Sequence, residues 1–389
     1  MPKKTRIADV TTHLVDKHCF LQVHAEDTTS GTGQSGYFSF PHVTVAILDA
    51  LKTVLIGEDP DEIGRLWLEM YRTAPVRGGA LTSTIAAVDL ALWDLKGRRY
   101  DVPVYELLGG RHRSSARMHY LLGMRSWPRS STPDDLLAEA KAAVEAGFTA
   151  VKLDPLIEGP AGFHTQSHAR RVQAAVDLVA EMRKVVGLDV DIALEIHRKL
   201  ATAESLVLAD AVAPFHIYFF EDALPADSLS EWARIGAHAR LPLAVGERQD
   251  TIYEFEDLLH AGVGDFLRPD VGTAGGLSAC VKIAALAESR HRQIIAHNFV
   301  SPFLSAATLQ LYASVPNVGT FEWNPLDEEV PRSAMLTTPL RRNGGWLEVS
   351  DAPGLGVDVA PGYLSDGPPF VPTGGMGTLR GADGSIHAR

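Results

Sequence analysis

Hydrophobic and polar positions follow two different rhythms in the first part of the chain. Over the first forty residues they alternate in short stretches that turn-rich residues separate, which predicts a meander of strands. From about residue 43 apolar residues recur three and four positions apart, which predicts helices. The strands are RIADVTTHLV, CFLQVHAE and GTGQSGYFSF, and the helices are HVTVAILDALKTVLIG, DPDEIGRLWLEMYRTA and the Ala-rich STIAAVDLALWDLKGRRY.

After the turn LLGGRHR, short apolar strands alternate with amphipathic helices, which is typical of a parallel sheet. Eight such strands predict a (β/α) barrel of the TIM type. A polar residue closes nearly every strand, so we expect an active site at the C-terminal face of the barrel. The predicted strands lie near RMHYLLG, AVKLDP, DIALEIH, IYFFED, LAVGE, FLRPD, QIIAH and GTFEWNP.

The change of rhythm divides the chain into three parts. With 389 residues the chain is long enough for a large barrel or for two domains. We predict an α+β capping domain over residues 1–115 and a catalytic barrel over residues 116–345. Residues 346–389, rich in Gly and Pro, are predicted to return to the cap and to end in a flexible tail.

Composition narrows the functional class. A net charge of −12 argues against a nucleic-acid partner, because phosphate binding depends on clustered Lys and Arg. No apolar stretch approaches the roughly 20 residues that span a bilayer. Two cysteines and an N-terminus without an apolar signal core predict a reduced, cytoplasmic setting with no membrane partner.

Three glutamates, evenly spaced along the chain, each close a predicted strand: Glu195, Glu221 and Glu247. Carboxylates that converge at neighbouring strand ends repel one another unless a cation lies between them. Oxygen ligands favour a hard divalent ion, and Mg²⁺ commonly keeps positions open for substrate oxygens. Any one of these acids alone is more often a solvated or ion-paired residue, so the prediction rests on the set.

Histidines close two of the strands as well. His197 follows Glu195 by two residues, which in a strand puts both side chains on one face. His297 closes QIIAH and is the candidate base, because neutral imidazole accepts a proton near pH 7. Asp270, at the end of the preceding strand, is expected to bond the other ring nitrogen. The alternative for either histidine is a structural one, a hydrogen-bonded core residue or a contact to a ligand carboxylate.

These motifs resemble a known family. The chain is similar over nearly its whole length to the mandelate racemase subgroup of the enolase superfamily, and within it to the galactonate dehydratase-like acid-sugar dehydratases. The N-terminal meander and the helix DLALWDLKGRRYDVPVYELLGG resemble that family's capping domain, and the implied barrel is the modified (β/α)7β form. The motifs that carry the resemblance are VKLDP, EIH, FFED, VGER, RPDVGTAGG, IAHN and FEWN.

The resemblance implies a role for each strand-end residue. The three glutamates match metal ligands for Mg²⁺, and the His297–Asp270 pair matches the dyad that removes the proton next to the substrate carboxylate. His197 matches the imidazole that protonates the departing 3-hydroxyl, and Glu322 matches the acid that hydrogen-bonds the enolate. The implied reaction is dehydration of a sugar acid, an aldonate or a related compound, to a 2-keto-3-deoxy acid. The implied partners are a small acid-sugar substrate and further copies of the chain, in a dimer or an octamer.

Two departures bear on the reaction and on the substrate. Racemising members carry Lys-x-Lys on the second strand, where this chain has Lys152 and Asp154, so dehydration is favoured over racemisation or epimerisation. Lys152 is included in the predicted catalytic set, the alternative being an ion pair to Asp154 or a neighbouring acid. Relatives commonly read His-Gly-Arg where this chain has His197, Arg198 and Lys199.

The predicted substrate contacts are Asp154, Arg198 and Tyr37, the last in the segment where this family's mobile capping loop closes. His164 and His168, at the mouth of the second βα loop, are weaker candidates. Asp222 is predicted to be structural, because only the first acid of FFED matches a ligand. Two rival functions stay open: a racemase or epimerase of the same superfamily, and a metal-binding barrel without turnover.

Overall fold

The computed structural model describes residues 2–126, 131–157 and 166–365, and two short strands further on, Leu379–Arg380 and Ile386–His387. Most of the predicted flexible tail therefore lies outside the described residues. The chain opens with an antiparallel sheet of β1 (Ile7–Val15), β2 (His18–Ala25) and β3 (Ser30–Ser35), paired in that order. This confirms the predicted meander.

Four helices follow the meander. They are α1 (Pro41–Leu55), α2 (Ile63–Thr73), α3 (Gly79–Tyr100) and the short α4 (Val104–Leu107), and α1 and α3 pack on its sheet. Helix α3 packs directly on β3: a Cβ built on Gly33 would lie 1.9 Å from the carbonyl oxygen of Ala87, so only glycine allows this approach. The apolar faces of β1 and β2 and of α1 to α3 form a core of their own.

Eight parallel strands form the barrel in the described part of the chain. Neighbours pair in chain order from β4 to β10, β11 pairs with β4, and a parallel bridge from Ile294 to Val318 joins β10 to the segment before β11. The predicted α/β barrel is thus confirmed. The strands are β4 (Ser115–Leu121), β5 (Ala150–Leu153), β6 (Asp191–Glu195), β7 (Ile217–Glu221), β8 (Leu243–Val245), β9 (Phe266–Leu267), β10 (Gln293–Ile294) and β11 (Phe321–Trp323).

Seven described helices connect these strands, and β11 closes the barrel, which gives the (β/α)7β form. Thr132 and Thr251 begin α5 and α9 with capping boxes, in which each threonine accepts from the backbone N–H three residues on. The helices are α5 (Pro133–Glu145), α6 (His168–Val186), α7 (Thr202–Val212), α8 (Leu229–His238), α9 (Ile252–His260), α10 (Gly276–Glu288) and α11 (Pro302–Ser314).

After the barrel the chain returns to the cap. A hairpin of β12 (Arg342–Asn343) and β13 (Trp346–Glu348) adds to β4 in antiparallel fashion. Further on, Val104 donates a backbone hydrogen bond to Gly354 (2.9 Å), and the Leu355 N–H donates to the Asp94 carboxylate (2.9 Å). The domain boundaries after residues 115 and 345 stay predictions. None of the described helices has both the length and the apolar run to cross a membrane.

Candidate active site

Three buried glutamates meet at the C-terminal edge of the barrel. Glu195 and Glu221 end β6 and β7 and are direct partners in the strand register, and Glu247 lies two residues beyond β8. One carboxylate oxygen from each lies within 4.8 Å of the others. The structure thus brings together the three acids that the sequence predicted as metal ligands.

Buried cations lie between these acids. The Lys152 ammonium donates to Glu195 (3.0 Å), Glu221 (2.7 Å) and Glu322 (2.6 Å). Burial alone lowers the pKa of Lys152, but Glu221 and Glu322 outweigh it and leave that pKa raised, so the ammonium stays charged. The structure therefore agrees with the alternative prediction for Lys152, in which it forms ion pairs with neighbouring acids.

Arg268 is a second buried cation and was missed in the sequence. Its guanidinium bonds both Glu221 and Glu322, and it donates to the carbonyl of Ile295 (3.1 Å) from a fully buried position. The signal was an arginine one residue beyond an apolar strand, in RPD. Inside a barrel such a charge must be paired, because an isolated buried charge is costly.

The carboxylates of this group outnumber its cations. Among the described residues, five carboxylates lie together with three cations, and Glu247 also pairs with the half-exposed Arg248. Burial raises the pKa of Glu221 well above its usual range, and burial with the charges of Glu247 and Glu195 raises that of Asp222 to about 8. The carboxylates are Glu195, Glu221, Asp222, Glu247 and Glu322, and the cations are Lys152, Arg198 and Arg268.

An all-oxygen donor set of three close carboxylates fits a hard divalent cation. Glu195, Glu221 and Glu247 would hold it. When bound, such an ion supplies positive charge that stabilises negative charge developing on a substrate carboxylate. The residues present therefore fit the metal that the enolase-like pattern implied.

His297 and Asp270 form the predicted pair. The ring nitrogen Nδ1 of His297 lies 2.6 Å from Asp270 Oδ2, and Nε2 lies 3.8 Å from Glu247 Oε2. Asp270 also accepts the N–H of Gly272 (2.7 Å), which fixes its carboxylate. Burial lowers the pKa of His297, but Glu247 and the bond to Asp270 outweigh it and raise that pKa. With Nδ1–H donated to Asp270, Nε2 is the atom that can accept a proton.

His197 lies beside the same acids, though the sequence argument for its position was wrong. Strand β6 ends at Glu195, and His197 has a φ of 51°, so the two side chains do not share a strand face. A turn brings them together instead, with the His197 N–H donating to Glu195 (3.1 Å). A five-residue strand with two left-handed residues soon after it could not be foreseen from the apolar run.

Asp154 holds the His197 ring. Its Oδ2 lies 3.3 Å from His197 Nδ1 and accepts from the Lys199 ammonium at 2.6 Å. Although burial raises the pKa of Asp154, Lys199 and His197 lower it to about 2. Burial lowers the pKa of His197, but Glu195 and Asp154 raise it overall.

Glu322 lies in β11 and is fully buried. Its Oε2 accepts from Lys152, from Arg268 and, at 3.4 Å, from His119, and its Oε1 accepts the Asn298 N–H at 3.0 Å. Despite its burial, Arg268 and Lys152 hold its pKa well below the usual range. His119, missed in the sequence, is a buried polar residue inside the apolar strand β4, and burial lowers its pKa to about 4.

The residues predicted to contact the substrate lie in different parts of the structure. Arg198 bonds Asp222 and Glu247. Tyr37 lies in the cap, where its ring contacts Phe40 at 6.2 Å between centroids, and its contact with substrate stays a prediction. His168 pairs with Glu204 at 3.5 Å with about half of its side chain exposed. His164 lies outside the described residues.

The cap contacts the surroundings of His297 through a backbone hydrogen bond and aromatic rings. The N–H of Gly36 donates to Gly272 (2.8 Å), in the loop that follows Asp270. Phe38 lies 6.2 Å from Phe299, and Phe299 lies 6.4 Å from the His297 ring, measured between centroids. The segment after β3 thus lies close to His297 and to the loop after Asp270.

Comparison with known proteins agrees with this architecture. Residues 2–109 match the mandelate racemase / muconate lactonizing enzyme N-terminal domain, and residues 135–363 match the enolase C-terminal domain-like family. A D-galactonate dehydratase of Ralstonia pickettii is 33% identical over 98% of this chain and 99% of its own, and one from Verminephrobacter eiseniae is 32% identical over the same shares.

Solved structures are similar over most of the chain as well. An enolase from Agrobacterium radiobacter with bound sodium and L-malate is 25% identical, covers 99% of this chain and 100% of its own, and has a TM-score of 0.85. The 3,6-anhydro-D-galactonate cycloisomerase of Zobellia galactanivorans is 26% identical, covers 92% and 98%, and has a TM-score of 0.80. These matches confirm the predicted fold and the predicted enzyme class, a hydro-lyase. The chain belongs to the enolase superfamily, with the N-terminal and C-terminal domains of its mandelate racemase and muconate lactonizing group.

Proposed function

We propose that the chain is a Mg²⁺-dependent dehydratase of an aldonate or a related sugar acid, with a 2-keto-3-deoxy acid as product. One observation carries the proposal: two histidines, each held by its own aspartate, lie next to one buried group of three carboxylates. Such a pair can remove a proton from one carbon and donate a proton to a hydroxyl on the next. The galactonate dehydratases that cover the chain support D-galactonate as the first compound to test.

In the proposed sequence, Nε2 of His297 takes the proton from the carbon next to the carboxylate. Asp270 keeps the imidazole in the required tautomer and stabilises the cation that forms. The 3-hydroxyl then leaves as water with a proton from His197, and the carbon–oxygen bond breaks as a carbon–carbon double bond forms. The resulting enol takes up a proton at carbon 3 and becomes the ketone.

Lys152 and Glu322 act in this proposal by position. Glu322 accepts from Lys152 and Arg268 through one oxygen, and its depressed pKa leaves no proton to donate to an enolate. It therefore holds the two cations that orient Glu221. This differs from the hydrogen-bonding role that the family resemblance implied for Glu322.

The racemase rival finds less support. Exchange of configuration needs a base on each face of the substrate, and on the second strand Lys152 is engaged with three acids while Asp154 is engaged with Lys199 and His197. A racemase or epimerase of this chain would have to use His197 as its second base. Self-association as a dimer or an octamer stays a prediction.

The test is a screen of mono- and diacid sugars, beginning with D-galactonate, for 2-keto product in the presence of Mg²⁺. We expect turnover of at least one aldonate, measured as semicarbazone absorbance and as the carbon-3 signals of the product by NMR. Inverted substrate without loss of water would favour the epimerase. An unaltered mixture with folded protein and Mg²⁺ would favour a barrel without turnover.

A further inference from the structure

Arg198 has a backbone conformation that is unusual for a residue with a long side chain. It has a φ of 61°, in the left-handed region that residues other than glycine seldom adopt. The backbone around it is tied to the next strand end, because its N–H donates to the carbonyl of Asp222 at 2.9 Å. Asp222 itself has a φ of 45°. The turns at Arg198 and Asp222, which follow neighbouring strands, are therefore held together by this hydrogen bond.

The side chain of Arg198 points at a predicted metal ligand. Its Nη1 donates to Glu247 Oε1 at 2.9 Å and bonds the carboxylate of Asp222, and the side chain is only 12% exposed. The other oxygen of Glu247, Oε2, faces His297. A fixed positive charge thus lies one carboxylate away from the position that a divalent ion would occupy.

We propose that Arg198 is a positioning residue that lowers the affinity of the three-glutamate group for its divalent ion. The inference rests on the proposed function, in which Glu195, Glu221 and Glu247 hold that ion. Two positive charges separated by a single carboxylate repel each other, and burial leaves little water to screen them. Because Glu247 is shared between Arg198 and the ion, its carboxylate donates less negative charge to the ion. The ion then keeps more positive charge to attract an acid substrate.

Two effects of removing Arg198 oppose each other. Loss of the hydrogen bond frees Glu247 to move, which weakens metal binding, while loss of the positive charge strengthens it. The charge effect acts at close range in a poorly screened site, and Glu247 has a second arginine on the same oxygen, Arg248 at 3.0 Å. We therefore expect the charge effect to dominate, and a gain in affinity is a result that simple structural damage does not produce.

The experiment titrates Mn²⁺ into substrate-free protein and follows the free ion by EPR. Arg198→Gln is expected to bind Mn²⁺ at least tenfold more tightly than the wild type, and Arg198→Lys, which keeps the charge, within threefold of it. Arg248→Gln is the matched control, because Arg248 contacts the same oxygen with 47% of its side chain exposed, where water screens the charge. It should change the affinity by less than threefold.

Unchanged or weaker binding in folded Arg198→Gln would overturn the inference while leaving the proposed function intact. Failure of the wild type to bind Mn²⁺ would instead overturn both, because no ion would then occupy the three glutamates. Should Arg198→Gln not fold, Arg198→Met carries the same expectation, since it removes the charge and keeps an unbranched apolar stem. An Arg198→Lys protein that binds as tightly as Arg198→Gln would also contradict the proposal.

Discussion

At the residue scale, Lys152 lies among three carboxylates, and two of them, Glu195 and Glu221, are predicted metal ligands. With Arg198 and Arg268 it supplies three fixed positive charges to a group of five acids. The acids still outnumber these cations, and the close carboxylate oxygens of Glu195, Glu221 and Glu247 fit one hard divalent ion.

His197 is the residue whose predicted role can be separated from that of the base. We expect His197→Asn to slow dehydration at least a hundredfold while exchange of the substrate's α-proton with deuterated solvent continues, because the proposed mechanism assigns proton removal to His297. NMR of the substrate in deuterated buffer measures both. His291→Asn, an exposed histidine that also has a positive φ (54°), is the control and should leave both rates unchanged. Loss of both processes in His197→Asn would show that the two histidines do not divide the work.

At the element scale, helix α3 of the cap docks on the start of α10, just beyond the loop that carries Asp270. Asp89 accepts the Ser278 N–H at 3.0 Å, and Trp93 donates to the Ser278 hydroxyl at 2.9 Å. Gly276 has a φ of 82°, and a Cβ there would lie 2.3 Å from the Asp89 carboxylate. Any residue larger than glycine at this position would therefore clash with Asp89. The buried Asp89 carboxylate thus helps to join the cap to the barrel.

Burial raises the pKa of Asp89 to about 7, far above its value of about 4 in an unfolded chain. The folded protein then binds the proton more tightly, so the Asp89 contribution to stability is present below pH 4 and is lost as the pH rises towards 7. Asp89→Asn should remove this loss: between pH 5 and 7 the wild type should lose about 2 kcal/mol more free energy of unfolding than the variant.

Urea unfolding of both proteins across this pH range measures the difference. Asp257→Asn, on the exposed side of α9, is the control and should follow the wild type. Parallel pH profiles for the wild type and Asp89→Asn would mean that Asp89 is ionised in the folded protein at neutral pH.

The three glutamates could be predicted from the sequence, whereas their cation partners and the turn after Glu195 could not. The three glutamates were predictable because each closes an apolar run at the same point of a repeating unit, and parallel strands bring their carboxyl ends to one face. The partners of Lys152 and the position of Arg268 were not, because pairing across a barrel interior depends on which strands are opposite one another. The turn after Glu195 was missed because Ile196 continues the apolar run although the strand has ended.

At the scale of the whole molecule, the cap contacts the barrel beside the candidate site. The segment after β3 bonds the loop behind Asp270 through Gly36, and Phe38 and Phe299 extend an aromatic surface to the His297 ring. In the proposed mechanism such a cover would keep water from the reacting carbon. The proposed catalytic group and its cover therefore belong to different parts of the chain.

The most direct test of the central claim is exchange of the α-proton of an accepted aldonate with deuterated solvent, in wild type and in His297→Asn. The wild type should exchange and dehydrate, and His297→Asn should lose exchange by at least a thousandfold while it binds Mn²⁺ within threefold of the wild type. Exchange at the wild-type rate in folded, metal-binding His297→Asn would contradict the account, because the proton would then be leaving to another base.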